Sequence, residues 1–202
     1  MHFARGLRAA LGITSMKTLF YVWALISLSL CGAQAAEPTV PLNPMLRDEL
    51  MELRRVDQEI RTADHIVVGN EMDIDARNTA RLKEIVAKYG WPTNSMVGEE
   101  ATAAAWLLAQ HADQDPDFQR SVLALMEKLL PQGEANRSQY AYLYDRTHRP
   151  QRYGTQGDCA SPGKWEPREI EDPEHVDERR ASMSINPWKL SEYIQFIGKL
   201  CE

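Results

Sequence analysis

The chain has 202 residues, 44% of them hydrophobic and 26% charged, with a net charge of −6. That is enough chain for one ordinary globular domain, which at this size needs no staple to fold. The acidic balance argues against nucleic acid and anionic membrane surfaces as partners.

The first segment is read as a signal peptide. Lys17 precedes an apolar run from Leu19 to Leu30, and Ala33-Gln34-Ala35 supplies a small-residue cleavage site. Residues 1–35 are then the leader, with Met16 as an alternative start, and 36–202 form a single domain. The apolar run is too short for a comfortable membrane span. Leu30 before Cys31 is a poor fit to a lipid-attachment site, so a lipid anchor is disfavoured. Cleavage removes Arg5, Arg8 and Lys17 and no acid, which leaves 20 basic residues against 29 acidic ones, a net charge of −9. The expected location is periplasmic or extracellular. There the two remaining cysteines, Cys159 and Cys201, are expected to pair as one disulfide.

Along the domain, Asn43 and Pro44 open a helix striped by Leu46, Leu50, Leu53, Val56 and Ile60. A second helix is expected from about Asp75 to Tyr89 and stops at Gly90 with Pro92 behind it. The stretch WPTNSMVG reads as a loop. The third helix, about 99–111, is apolar nearly all round and is expected at the centre of the fold. Asp115-Pro116 starts a fourth helix, and RSQYAYLYDR forms a short fifth. Beyond residue 147 Pro and Gly become frequent. QRYGTQ and KWEPREI are expected to pair as a hairpin within about 151–170, and Asp172-Pro173 and Asn186-Pro187 open two last helices. The fold class is therefore mainly α: a compact multi-helix domain around a buried central helix, with a small β-hairpin.

Several spaced segments occur in order: WPTNSMVG, QHAD, YLYDR and YGTQ. Together they resemble a bacterial family defined only as a domain of unknown function, over about residues 45–197. The resemblance implies a domain boundary and no mechanism.

Chemistry-bearing residues gather near those segments. His111 ends the central helix and could act as acid, base or ligand, oriented by Asp113 or Asp145; the bland alternative is a histidine that caps a helix. Arg146 and Arg152, with Tyr153, Thr155 and Gln156, suit a small anionic ligand, against the alternative of a solvated charged turn. One histidine with scattered carboxylates makes only a weak metal signal, and no metal or other cofactor is expected. Two function classes stand. The first is a cell-envelope binding or interaction module for a small polar or anionic ligand or a partner protein. The second is a hydrolase- or lyase-type enzyme with His111 as general acid/base. They differ in whether His111 reaches a carboxylate within a concave site.

Overall fold

The computed structural model describes residues 42–62 and 70–202. The leader expected over residues 1–35 lies outside the described residues. So does its cysteine, Cys31. The described helices are α1 (Pro44–Thr62), α2 (Asn70–Tyr89), α3 (Asn94–Val97), α4 (Glu99–Gln110), α5 (Pro116–Leu129), α6 (Arg137–Thr147), α7 (Val176–Ser182) and α8 (Leu190–Gly198). One antiparallel hairpin, β1 (Gly157–Ser161) with β2 (Lys164–Pro167), interrupts them. This is the mainly α fold with a small hairpin that the sequence patterns indicate.

α4 is the axis of the helical body. Ala101, Ala104, Ala105, Leu108 and Ala109 are buried, and α1, α2, α3, α5 and α6 all pack against it. Its alanines explain the arrangement: small side chains let neighbouring helices come close on every side. Glu99 and Glu100 lie in its first turn, where the helix dipole favours negative charge. Local caps follow the expected chemistry. Asn43 accepts from the Leu46 amide at 3.1 Å, and Asp115 from the Phe118 amide at 3.0 Å.

Some boundaries differ from the sequence expectations. α2 begins at Asn70, five residues before Asp75. The expected loop WPTNSMVG contains α3, whose cap is Thr93. The hairpin is shifted from the expected pairing: its first strand is GDCAS rather than QRYGTQ, so Cys159 lies within β1 opposite Trp165. Outside it, Gln151 and Ile170 meet only as an isolated parallel bridge. α7 starts after a 3-10 turn at Pro173–His175, and α8 starts at Leu190 rather than next to Pro187.

α8 and the hairpin form a second, smaller apolar cluster built on Trp165, Tyr193 and Cys201. Cys201, just past the end of α8, bonds to Cys159 in β1. The Gly163 amide donates to the Cys201 carbonyl at 2.8 Å, so the C-terminal residues are held to the hairpin twice. No helix among the described residues is long and apolar enough to cross a membrane.

Candidate functional site

His111 follows the last residue of α4, and its backbone amide still donates to Leu107 O at 3.1 Å. Its ring reaches α1: His111 Nδ1 lies 2.9 Å from Asp57 Oδ1. Asp57 stands two turns after Leu50, on the same helix face, and has no solvent-exposed surface. Its other oxygen accepts from Gln58 Nε2 at 2.8 Å. Arg61, one turn further on, is 3.6 Å from Asp57 Oδ1 and 2.6 Å from Asp75 Oδ1 at the start of α2. Three chain segments thus meet at one polar junction: the end of α1, the start of α2 and the end of α4.

The electrostatics fix the tautomer. Burial alone would push Asp57 up, but the hydrogen bond from His111, that from Gln58 and the nearby Arg61 charge outweigh it. The carboxyl is held below its ordinary range. An ionised Asp57 can only accept, so Nδ1 carries the imidazole proton and donates it. The basic lone pair of the neutral ring then sits on Nε2, which makes no hydrogen bond among the described residues.

His111 also lines a cleft of about 240 Å³. One wall is a single face of α2 with Asp75, Ala76, Thr79, Ala80 and Lys83; the other is the turn from α4 to α5. The spacing of 75, 79 and 83 at four-residue steps places those side chains in a row. Ala76, Ala80 and Ala112 leave the space open. At the rim Lys83 Nζ pairs with Asp115 Oδ2 at 2.7 Å. That bond and the Phe118 amide hold the Asp115 carboxyl low.

The other expected site residues form two groups away from His111, centred on Asp113 and on Asp145 and joined where Gln156 Nε2 donates to Thr155 Oγ1 at 3.3 Å. Asp113 is gripped by Arg146 through both carboxylate oxygens and also accepts from Gln119 at 3.3 Å. Arg146 in turn donates to Gln156 Oε1 at 3.3 Å. QHAD and YGTQ are therefore linked, through Arg146, but the carboxylate on His111 is Asp57 and not Asp113 or Asp145.

Asp145 is fully buried and organises the second group. It accepts from the amides of Arg152 (2.8 Å), Tyr153 (3.1 Å) and Thr155 (2.9 Å) and from Thr155 Oγ1 (2.9 Å). Burial pushes its carboxyl up, against the pull of those donors. Tyr153 and Thr155 are buried in the same turn. Gln151, also fully buried, closes it by accepting from the Gln156 amide at 2.9 Å and donating to Gln156 O and Arg168 O. Arg152 lies over the Tyr144 ring, 5.5 Å from its centre, and Tyr144 stacks on His148 at 4.1 Å. Arg180, buried without exposure, donates to the carbonyls of Tyr153 (2.7 Å), Pro187 (2.8 Å) and Trp188 (2.9 Å). Most of the polar atoms of YGTQ are thus engaged within the fold.

Asp57, Gln58, Arg61 and Asp75 escape the sequence reading. The apolar stripe of α1 runs in sequence through Val56 and Ile60, yet both are only partly buried, while Asp57 beside them is fully buried. The available signal was an acid at position 57, seven residues after Leu50 and four after Leu53, on the face that packs inward.

No curated protein and no solved structure matches the chain. Residues 44–200, which span every described helix and the hairpin, match a family of unknown function, DUF6624, and the chain belongs to that family.

Proposed function

We propose that the protein is an exported enzyme of the hydrolase or lyase type, acting on a small polar molecule held in the cleft between α2 and the end of α4. His111 Nε2 is the general acid/base, and Asp57 positions the ring. The observation that carries this reading is the 2.9 Å bond between His111 Nδ1 and a fully buried carboxylate, at the edge of a concave site. A carboxylate on Nδ1 orients an imidazole and stabilises the cation formed when Nε2 takes a proton. Export, to the periplasm or the cell exterior, is supported by the charged, apolar and small-residue order of residues 17–35 and by the Cys159–Cys201 disulfide.

The test is turnover across a panel of small esters, amides and phosphoesters. His111→Gln should lose at least about 100-fold, within the usual range for a general acid/base. Asp57→Asn should lose less and displace the pH profile. Equal turnover by wild type and His111→Gln refutes the reading. A second reading keeps the cleft as a ligand-binding site without turnover, in an envelope binding module, and is favoured by the alanine-lined wall. A ligand that raises the melting temperature and is recovered unchanged selects it.

A further inference from the structure

The junction beside the cleft gathers more than a dyad. One oxygen each from Asp57 and Asp75 and one ring nitrogen of His111 all lie within 4.8 Å of one another. Two carboxylates and an imidazole form a donor set suited to a divalent transition metal. One of the three donor spacings, that of the present His111–Asp57 hydrogen bond, would also suit a shared ion. Bonds of about 2.1 Å to adjacent ligands put donor atoms about 3.0–3.4 Å apart, and Asp57 Oδ1 and His111 Nδ1 are 2.9 Å apart. The third donor requires Asp75 to draw inward.

A positive charge already sits at this place. Arg61 binds Asp75 at 2.6 Å and stands 3.6 Å from Asp57. Its side chain is 22% exposed, on the last turn of α1, so solvent is within its reach. Arg61 therefore supplies the cation that two neighbouring carboxylates demand, but it meets the buried one only loosely.

We infer that Asp57, Asp75 and His111 form a binding site for a divalent transition metal, and that the ion enters by displacing Arg61 from Asp75. This rests on reading the α1–α2–α4 junction as the working site; in the loaded state Nε2 carries the ring proton, so the ion and its bound water take over the base role that Nε2 has in the metal-free dyad. On loading, the hydrogen bond between Nδ1 and Asp57 breaks, and the proton of the neutral ring passes through solvent from Nδ1 to Nε2. Nδ1 then donates its lone pair to the ion, with no net proton gained or lost. A water on the open side of the ion would become the nucleophile, its acidity raised by the charge. That role is one the dyad alone leaves to bulk water.

Calorimetric titration of the purified, oxidised protein with Zn²⁺, and separately with Mn²⁺, tests this. One ion per chain should bind, and Asp75→Asn and His111→Gln should each weaken binding at least tenfold. Arg61→Gln should tighten it, because a competitor for Asp75 is gone. Urea unfolding of each variant identifies any loss that comes from misfolding, and Asp75→Glu, which keeps the charge and a ligand atom, should retain binding within about tenfold. The inference is overturned by no binding to folded wild type, by binding that Asp75→Asn leaves unchanged, or by Arg61→Gln binding more weakly. If the ions fail to bind while His111→Gln still abolishes turnover, the metal falls and the dyad stands. If Zn²⁺ binds as described but His111→Gln leaves turnover intact, the metal site stands and the proposed reaction falls.

Discussion

Asp145 offers the sharpest test of the separation between structure and chemistry. Replacing it with alanine leaves the amides of Arg152, Tyr153 and Thr155 and the Thr155 hydroxyl without their acceptor. A buried donor left unpaired costs about 1–3 kcal/mol. The Tyr153 and Thr155 bonds are buried, whereas that of Arg152 is partly open to water. Loss of the buried carboxylate removes an unfavourable desolvation that offsets part of this. The balance is about 3 kcal/mol for Asp145→Ala, a large share of the roughly 5–15 kcal/mol typical of a domain. Asp145→Asn keeps one oxygen for Arg152 and Tyr153 and turns an NH₂ toward the Thr155 amide, so it should cost about 1–2 kcal/mol. The assay is equilibrium urea unfolding with the disulfide intact. Turnover or ligand binding by the folded Asn variant should stay near wild type. A cost below about 1 kcal/mol for alanine refutes the network as the source of the turn. Loss of activity in a folded, stable Asn variant refutes its separation from the reaction site.

Three further outcomes follow from the geometry. Asp57 is held below its ordinary 3.8, so its contribution is complete above that value and is lost as pH falls through the lower, folded-state value. Wild type should therefore lose stability more steeply than Asp57→Asn as pH falls below about 4, measured by urea midpoints. Removing the Cys159–Cys201 bond with a double serine variant should cost up to about 4 kcal/mol, since the bridge closes a loop with a sequence separation of 42; an unchanged midpoint refutes this. Gly154 has φ +65°, and a Cβ there would lie 2.8 Å from Leu190 Cδ1 and 3.1 Å from Ile170 Cδ1. Gly154→Ala should cost about 1–2 kcal/mol, chiefly from the left-handed backbone because both crowded atoms are side-chain methyl ends that can shift, read by thermal unfolding.

The helical architecture was legible because its signals are local. Asn43, Asp115 and Pro116 mark helix starts, and the unbroken apolar surface of 101–109 marks the centre. The cysteine pair was legible because, past the expected leader, the sequence holds only Cys159 and Cys201. The site was not. His111 finds its carboxylate 54 residues away, on a helix whose stripe hid the acid among leucines. No spacing rule connects positions so far apart. Asp145 looked like chemistry because it is charged and stands near tyrosines and arginines. Only the chain path shows that the turn at 152–155 wraps back onto it. The α1 stripe holds at Leu46, Leu50 and Leu53 and departs from the core only at its end, where the face through Val56 and Ile60 is displaced by about one position from the one that packs inward.

The wall of the cleft is defined by what α2 lacks. Ala76 and Ala80 stop at Cβ, on the same helix face that presents Asp75 and Lys83. Nothing in the Asp57–His111 pair depends on those methyl groups. Enlarging either to valine or leucine would shrink the chamber while leaving the Asp57–His111 pair and its supports in place. On the proposed function, ligand size and reactivity would therefore lie on different residues, and members of this family could diverge in what they accept by exchanging one or two small side chains on a single helix.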